Sequence, residues 1–109
     1  MDGVEPAPPA RLTVSTAPDG AGLLVRLGGE LDIAGLPGIQ PALDALLQQR
    51  PQPLTLDLAE LGFLDSSGLA VLIRLANHFG RVQVVHTTAP VRRVIEALGL
   101  DGRLGLDGA

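Results

Sequence analysis

The sequence predicts a single α/β domain with a mixed sheet of four to five strands and helices mainly on one face. The predicted order of elements is ββαβαβα, and its strand–helix–strand units favour parallel pairing through right-handed crossovers. Apolar and polar residues alternate along most of the predicted strands. Because a parallel sheet covered on both faces would show continuous apolar runs, one face of this sheet should be only lightly covered.

The first two strands form a predicted hairpin. Alternating apolar residues mark strands at residues 12–15 and 23–27, and the turn residues Pro18-Asp-Gly20 lie between them. The pair Gly28-Gly29 is expected to end the second strand.

A helix follows, with a helix-spaced apolar set consisting of Leu36, Ile39, Leu43, Leu46 and Leu47. Pro37 fits a first helical turn, but Pro41 lacks an N–H that a helix interior uses. We therefore expect a regular helix over residues 41–49, with an irregular entry before it.

Residues 54–58 alternate cleanly and predict the third strand, which leads through residues 61–64 to the polar sequence Asp65-Ser66-Ser67-Gly68. We call these four residues the elbow. A second helix leaves the elbow and ends at Gly80, since glycine is favoured just after a helix.

Residues 82–85 form the fourth predicted strand, and a last helix is opened by Thr88 and stopped by Gly99. Residues 1–10 contain three prolines and no apolar periodicity, so we predict a disordered tail there. Residues 11–109 then make up the domain.

Composition excludes several classes of function. The net charge is −4, and Trp and Tyr are absent, so the chain lacks the basic surface and aromatic platforms that nucleic acids require. All eight basic residues are arginine, which excludes a P-loop lysine and Schiff-base chemistry. There is no cysteine for a disulfide, a thiolate nucleophile or a thiolate metal site. Without a membrane-length apolar run or a signal peptide, we expect a soluble cytoplasmic domain.

Three carboxylates, Asp32, Asp57 and Asp65, fall near predicted strand ends, where α/β proteins often place functional sites. An aspartate-phosphorylated receiver domain also groups acids in this way. Such a domain normally needs a lysine on a later strand, and this chain has none.

The two histidines, His78 and His86, lie on different predicted elements, which does not favour a metal site. A Ser-His-Asp triad could be drawn with Ser66, but the sequence around it does not resemble the Gly-x-Ser-x-Gly elbow of hydrolases. We therefore expect no enzymatic activity and no resident metal or cofactor.

The elbow has two interpretations. Carboxylate and hydroxyl oxygens suit a helix N-cap, because they accept the first unpaired backbone N–H groups. The same N–H groups and the helix dipole also favour a phosphate. From spacing alone both interpretations stay open, and they are compatible if Asp65 is the cap and Ser66 the modified residue.

Two segments together resemble the STAS domain family, and in particular the bacterial anti-sigma factor antagonists. Gly29-Glu30-Leu31-Asp32 is similar to the family's Gly-Glu-Leu-Asp turn, and residues 56–69 are similar to its phosphorylation segment. Ser66 falls where the family carries its phosphorylatable serine. The resemblance covers residues 12–100. The family commonly adds a further C-terminal helix, which the glycine-rich last residues do not favour.

The resemblance implies a protein that binds an anti-sigma factor, releases a sigma factor and is switched off when that factor phosphorylates Ser66. The partner would then be a serine kinase that brings its own ATP and Mg²⁺, and a separate serine phosphatase would restore binding. The implied switch surface comprises Asp32, Asp65, Ser66, Ser67 and Gly68. No contact with nucleic acid or membrane is expected, and the free protein is expected to be a monomer.

Two alternatives to a phosphorylation-controlled antagonist are also compatible with the sequence. One is a STAS module that never cycles, acting as a subunit of a signalling or transport assembly or as a small-ligand or nucleotide-binding domain. The other is an unrelated fold in which the elbow hydroxyls only cap a helix.

Overall fold

The computed structural model describes residues 9–99 and 105–106, which form a five-stranded sheet and three helices. The strands are β1 (Arg11–Thr16), β2 (Leu23–Leu31), β3 (Leu54–Leu64), β4 (Val82–Val85) and β5 (Gly105–Leu106). The helices are α1 (Leu36–Leu47), α2 (Ser66–Phe79) and α3 (Ala89–Ala97). This is the predicted ββαβαβα order, extended by the short strand β5. Most of the predicted N-terminal tail lies outside the described residues.

The strands lie in the sheet in chain order, β1-β2-β3-β4-β5. Strands β1 and β2 are antiparallel, while the other neighbouring pairs are parallel, so the predicted mixed sheet is confirmed. In the hairpin turn Ala17 N donates to Gly22 O at 3.0 Å, and Ala21 N donates to the Asp19 carboxylate at 2.9 Å.

One face of the sheet carries the core. In β3, Leu54, Leu56 and Leu58 are buried, whereas Thr55 and Asp57 between them are only half-buried. The core-facing residues of the sheet pack with one stripe of each helix, including the buried residues Ile39, Leu43, Leu46, Leu69, Leu72, Leu75, Val91 and Ile95. The opposite face carries charged pairs such as Arg11–Glu60 at 2.7 Å. The expectation of a lightly covered face is therefore confirmed.

Strands β2 and β3 are longer than the sequence predicted. The Gly28-Gly29 pair does not end β2, because the strand continues to Leu31 and β3 follows it to Leu64. The pairing shifts register on both sides of Gly28-Gly29, and at each shift β3 contributes one residue more than β2, so the bulges lie in β3 opposite the glycines. Gly29 itself has a φ of 80°. The extension pairs Leu31 with Leu64 and places the residues after both strands side by side.

Helix α1 begins at Leu36, five residues before the predicted start of regular helix. Its entrance is organised by Asp32, whose carbonyl accepts from Leu36 N at 2.9 Å and whose carboxylate accepts from Gly35 N at 2.8 Å. Pro37 lies in the first turn, where its missing N–H has no helical partner to lose. Pro41 lies inside the helix and removes one backbone hydrogen bond, but burial of Ile39 keeps the first turn on the core.

Helices α2 and α3 end where the sequence predicted. Gly80 and Gly99 follow α2 and α3 with φ values of 75° and 69°, the left-handed conformation in which glycine carries no steric penalty. Thr88 precedes α3, and its hydroxyl donates to Leu61 O at 3.3 Å. Within the part of the chain that the structure describes, no helix has the length and apolar character needed to cross a membrane.

The core interpretation makes a direct prediction about two leucines. Leu72→Ala removes a side chain that is fully buried in α2, and should lower the free energy of unfolding by about 2–5 kcal/mol. The matched change Leu98→Ala acts on a side chain that is 58% exposed, and should alter that free energy by about 0.5 kcal/mol at most. Urea denaturation followed by circular dichroism measures both. Equal losses would contradict this assignment of the core.

Candidate functional site

Asp65 connects the end of β2 to the start of α2. Its Oδ1 accepts from Gly68 N at 3.1 Å, which makes it the N-cap of α2, and its Oδ2 accepts from Ile33 N at 3.2 Å. The backbone adds a third link, since Asp65 N donates to Leu31 O at 3.3 Å. One carboxylate therefore fixes the helix entrance and the loop after β2, and the prediction that Asp65 caps the helix is confirmed.

These hydrogen bonds determine the charge state of Asp65. The N–H of Gly68 acts most strongly in lowering the pKa of the Asp65 carboxyl below its ordinary value, and the N–H groups of Ile33 and Ser67 act in the same direction. Desolvation opposes them but does not outweigh them. At neutral pH the site therefore carries a fixed negative charge at the positive end of the α2 dipole.

Gly68 allows α2 to approach β2 closely. A Cβ built on Gly68 would lie 2.1 Å from Leu31 O and 3.0 Å from side-chain atoms of Leu31 and Leu64. The Leu31 carbonyl and the packed side chains of Leu31 and Leu64 cannot move far enough to make room for a methyl group without rearrangement of the site. Glycine at this position is therefore required by a backbone contact and is more than a tolerated helix residue.

Ser66 occupies the first position of α2 and is exposed, whereas its neighbour Ser67 is half-buried. The structure brings Ser66 together with all the other predicted switch residues, Asp32, Asp65, Ser67 and Gly68, at the edge of the sheet where β2 and β3 end. Asp32 is half-buried there and holds the turn into α1, as described above. The hydroxyl of Ser66 is thus accessible on a helix end that other residues hold in place.

Asp57 does not belong to this group, and its predicted place near a strand end was wrong. Because β3 continues to Leu64, Asp57 lies inside the strand and faces Arg26 at 3.6 Å and His86 Nδ1 at 3.3 Å. Burial alone would raise the pKa of Asp57, but the N–H of Ala59 together with His86 and Arg26 lowers it overall.

The histidines have partners elsewhere. A ring nitrogen of His78 is 2.7 Å from Gln49 O, and His86 lies beside Asp57 with a φ of 58°. Within the described residues, no group of three His, Cys, Asp or Glu side chains is arranged to hold a metal ion. The geometry around Ser66 provides an accessible hydroxyl, and neither histidine is bonded to it in the manner of a triad.

Sequence reasoning did not identify two exposed apolar residues beside the elbow. Ile33 is 74% exposed on the loop held by Asp65, and Phe63 is 48% exposed two residues before Asp65. The spacing of the buried residues Leu61 and Leu64 was a usable signal, because it leaves Phe63 outside the core. No comparable pattern marked Ile33.

Comparisons with known proteins place this architecture in a family. The model of the family described as "Mlab, STAS domain" matches residues 14–106, and the chain therefore belongs to the STAS domain family. The predicted family is confirmed.

Several individual proteins are similar to the chain. An anti-sigma F factor antagonist from Paenibacillus polymyxa is 36% identical over 83 residues, covering 72% of this chain and 71% of its own length. The anti-sigma-F factor antagonist RsfB of Mycobacterium tuberculosis is 29% identical over 96 residues, covering 85% and 79%. The crystal structure of an anti-sigma factor antagonist from Mycobacterium paratuberculosis superposes with a TM-score of 0.77 at 29% identity, covering 92% of this chain and 86% of that one.

The close approach of α2 to β2 at Gly68 predicts different changes in stability when Gly68 and Gly38 are each replaced by alanine. Gly68→Ala should lower the free energy of unfolding by about 1–3 kcal/mol, because the new methyl group overlaps Leu31 O. In Gly38→Ala, also within the first turns of a helix, the added Cβ meets no atom within 4 Å. That variant should be unchanged or more stable by up to about 1 kcal/mol. Urea unfolding of the two variants tests the contact, and equal behaviour would contradict it.

The Asp65 cap predicts a pH dependence. The folded-state pKa of Asp65 is lowered relative to the unfolded chain, so its contribution is present above the unfolded value of about 3.9 and is lost as pH falls through the folded value. Asp65→Asn removes this titration. The urea midpoint of wild type should therefore fall more between pH 6 and pH 3 than that of Asp65→Asn. Parallel curves for the two proteins would show that the carboxylate does not stabilise the helix entrance.

Proposed function

We propose that the protein is an anti-sigma factor antagonist whose binding is switched off by phosphorylation of Ser66. The observation that carries the proposal is the exposed hydroxyl at the first position of α2, on an entrance that Asp65 and Gly68 hold without it. The similar proteins from Paenibacillus polymyxa and Mycobacterium tuberculosis are named anti-sigma F factor antagonists, which supports the same role here.

A phosphate on Ser66 adds about −1.5 to −2 charges at neutral pH. The α2 dipole favours that charge by only ~0.3–1 kcal/mol, and Asp65 already accepts from Gly68 N and Ile33 N. Phosphorylation should therefore leave the fold intact. Its main effect falls on a docked partner, because an unmatched charge buried in an interface costs several kcal/mol.

The acidic surroundings of Ser66 increase the cost of a phosphate to partner binding. Asp65 carries a lowered pKa, and Asp32 lies on the adjoining loop, so a phosphate joins a surface that is already negative. A partner surface that accommodates these two carboxylates must accommodate about 1.5 to 2 further negative charges after phosphorylation. The switch then acts through local charge and hydration, with no need for a change of fold.

The partner in this proposal is an anti-sigma factor that is also a serine kinase and supplies ATP and Mg²⁺ itself. A serine phosphatase reverses the modification. The chain is the substrate of both enzymes and catalyses neither step, and it acts in the cytoplasm as a monomer when free.

A second candidate is a STAS module that never cycles, serving as a subunit of a signalling or transport assembly or binding a small ligand or nucleotide. It is favoured by the description of the matching family model, "Mlab, STAS domain", which names no anti-sigma factor. In this candidate Ser66→Ala has no functional consequence.

Phosphate mapping separates the two candidates. When the protein is incubated with anti-sigma factor kinases of its own genome and ATP, mass spectrometry should locate one phosphate on Ser66. Ser66→Ala should bind the kinase and remain unmodified, whereas the neighbouring control Ser67→Ala should be modified like wild type. Phosphate on Ser67, or none on either serine, would contradict the proposal.

Binding measurements complete the test. Phosphorylation of Ser66 should weaken the complex by about a hundredfold or more, which corresponds to several kcal/mol. Ser66→Asp should weaken it in the same direction, and Ser67→Asp should do so less, because Ser67 is half-buried beside the cap. If Ser66→Asp binds as tightly as wild type, the charge at residue 66 does not control the interaction.

A further inference from the structure

An apolar cleft lies between the end of β3 and helix α3. Its volume is about 150 Å³, and its lining consists of Phe63, Leu64, Pro90, Val91 and Val94. We call it the β3–α3 cleft. It differs from three other clefts among the described residues, which include charged side chains such as Arg11, Glu30 and Arg81.

The position of the cleft connects it to the elbow. Phe63 and Leu64 are the last residues of β3, and Asp65 and Ser66 follow them directly. On the other side of the elbow, Ile33 N is bonded to the Asp65 carboxylate and the Ile33 side chain is largely exposed. Ser66 therefore lies between two apolar surfaces, the Ile33 loop and the β3–α3 cleft.

The size and chemistry of the cleft limit what can occupy it. Small-molecule sites are usually about 300–1,000 Å³ and contain a few polar groups that orient the ligand. This cleft is smaller and almost wholly apolar, which fits the insertion of one protein side chain. Buried anchor residues of this kind contribute much of the binding energy in protein interfaces, and charged rims contribute less.

We propose that the β3–α3 cleft receives an aliphatic side chain of the anti-sigma factor and, with Ile33, forms the apolar part of the docking surface on either side of the elbow. This inference rests on the proposed function and adds to it a specific anchor site beside the elbow, formed by the end of β3 and by α3. Asp65 lies between these two apolar parts and Asp32 directly precedes Ile33, so the matching partner surface has two apolar contacts and no acidic group opposite the carboxylates. A phosphate on Ser66 then enters a contact that depends on excluding water.

The test uses calorimetric titration of the full-length protein into the kinase that phosphorylates it, in the absence of ATP. Phe63→Ala should weaken binding at least about tenfold, because it removes one wall of the cleft. Val94→Ala should weaken it as well, and Val94→Phe should block insertion. The matched control Val14→Ala alters an exposed valine on the edge strand β1, which β2 separates from β3, and should bind like wild type. Circular dichroism confirms that each variant is folded.

The outcomes separate the two proposals. If wild type binds and the three cleft variants bind within about twofold of Val14→Ala, the cleft is not the anchor site, while the proposed function stands. If wild type binds no anti-sigma factor, the proposed function fails and this inference fails with it. If light scattering instead shows a dimer that Val94→Phe dissociates, the occupant of the cleft is a second copy of the chain, and the inference is overturned.

Discussion

The carboxylate of Asp65 is the interaction on which the rest of the site depends. It accepts from Gly68 N at the start of α2 and from Ile33 N on the loop after β2, which precedes Asp65 by 32 residues in the chain. The contact is possible only because Gly68 has no side chain to hold α2 away from Leu31 O. A residue on the first turn of α2 is therefore displayed on a rigid support.

The proposed switch requires this division of roles within one short sequence. Asp65 and Gly68 satisfy the helix entrance, which leaves the Ser66 hydroxyl outside the bonds that hold the fold. A modification at Ser66 can then change what the surface binds at little cost to folding. In the proposed docking surface, the exposed apolar residues Ile33 and Phe63 would exclude water on binding, which makes an added charge costly.

The order of the elements and the cap of α2 could be predicted from the sequence. Alternation, turn residues and helix-ending glycines determined the element order, and the Asp65 cap follows from the residue types at a helix start. The length of β2 and β3 could not be predicted in the same way. Gly28-Gly29 is a common terminator, and only pairing with β3, which bulges opposite these glycines, keeps them inside β2. Helix α1 began before Pro41 for a similar reason, since burial of Ile39 and the Asp32 turn outweigh one lost hydrogen bond.

The central claim is that phosphorylation of Ser66 changes binding and leaves the fold unchanged. The most direct test measures, on wild type and on the stoichiometrically phosphorylated protein, both the dissociation constant for the anti-sigma factor and the free energy of unfolding. The account predicts a loss of affinity of about a hundredfold or more, with unfolding free energies that agree within about 1 kcal/mol. An unchanged affinity, or a loss of affinity matched by a loss of stability of several kcal/mol, would contradict it.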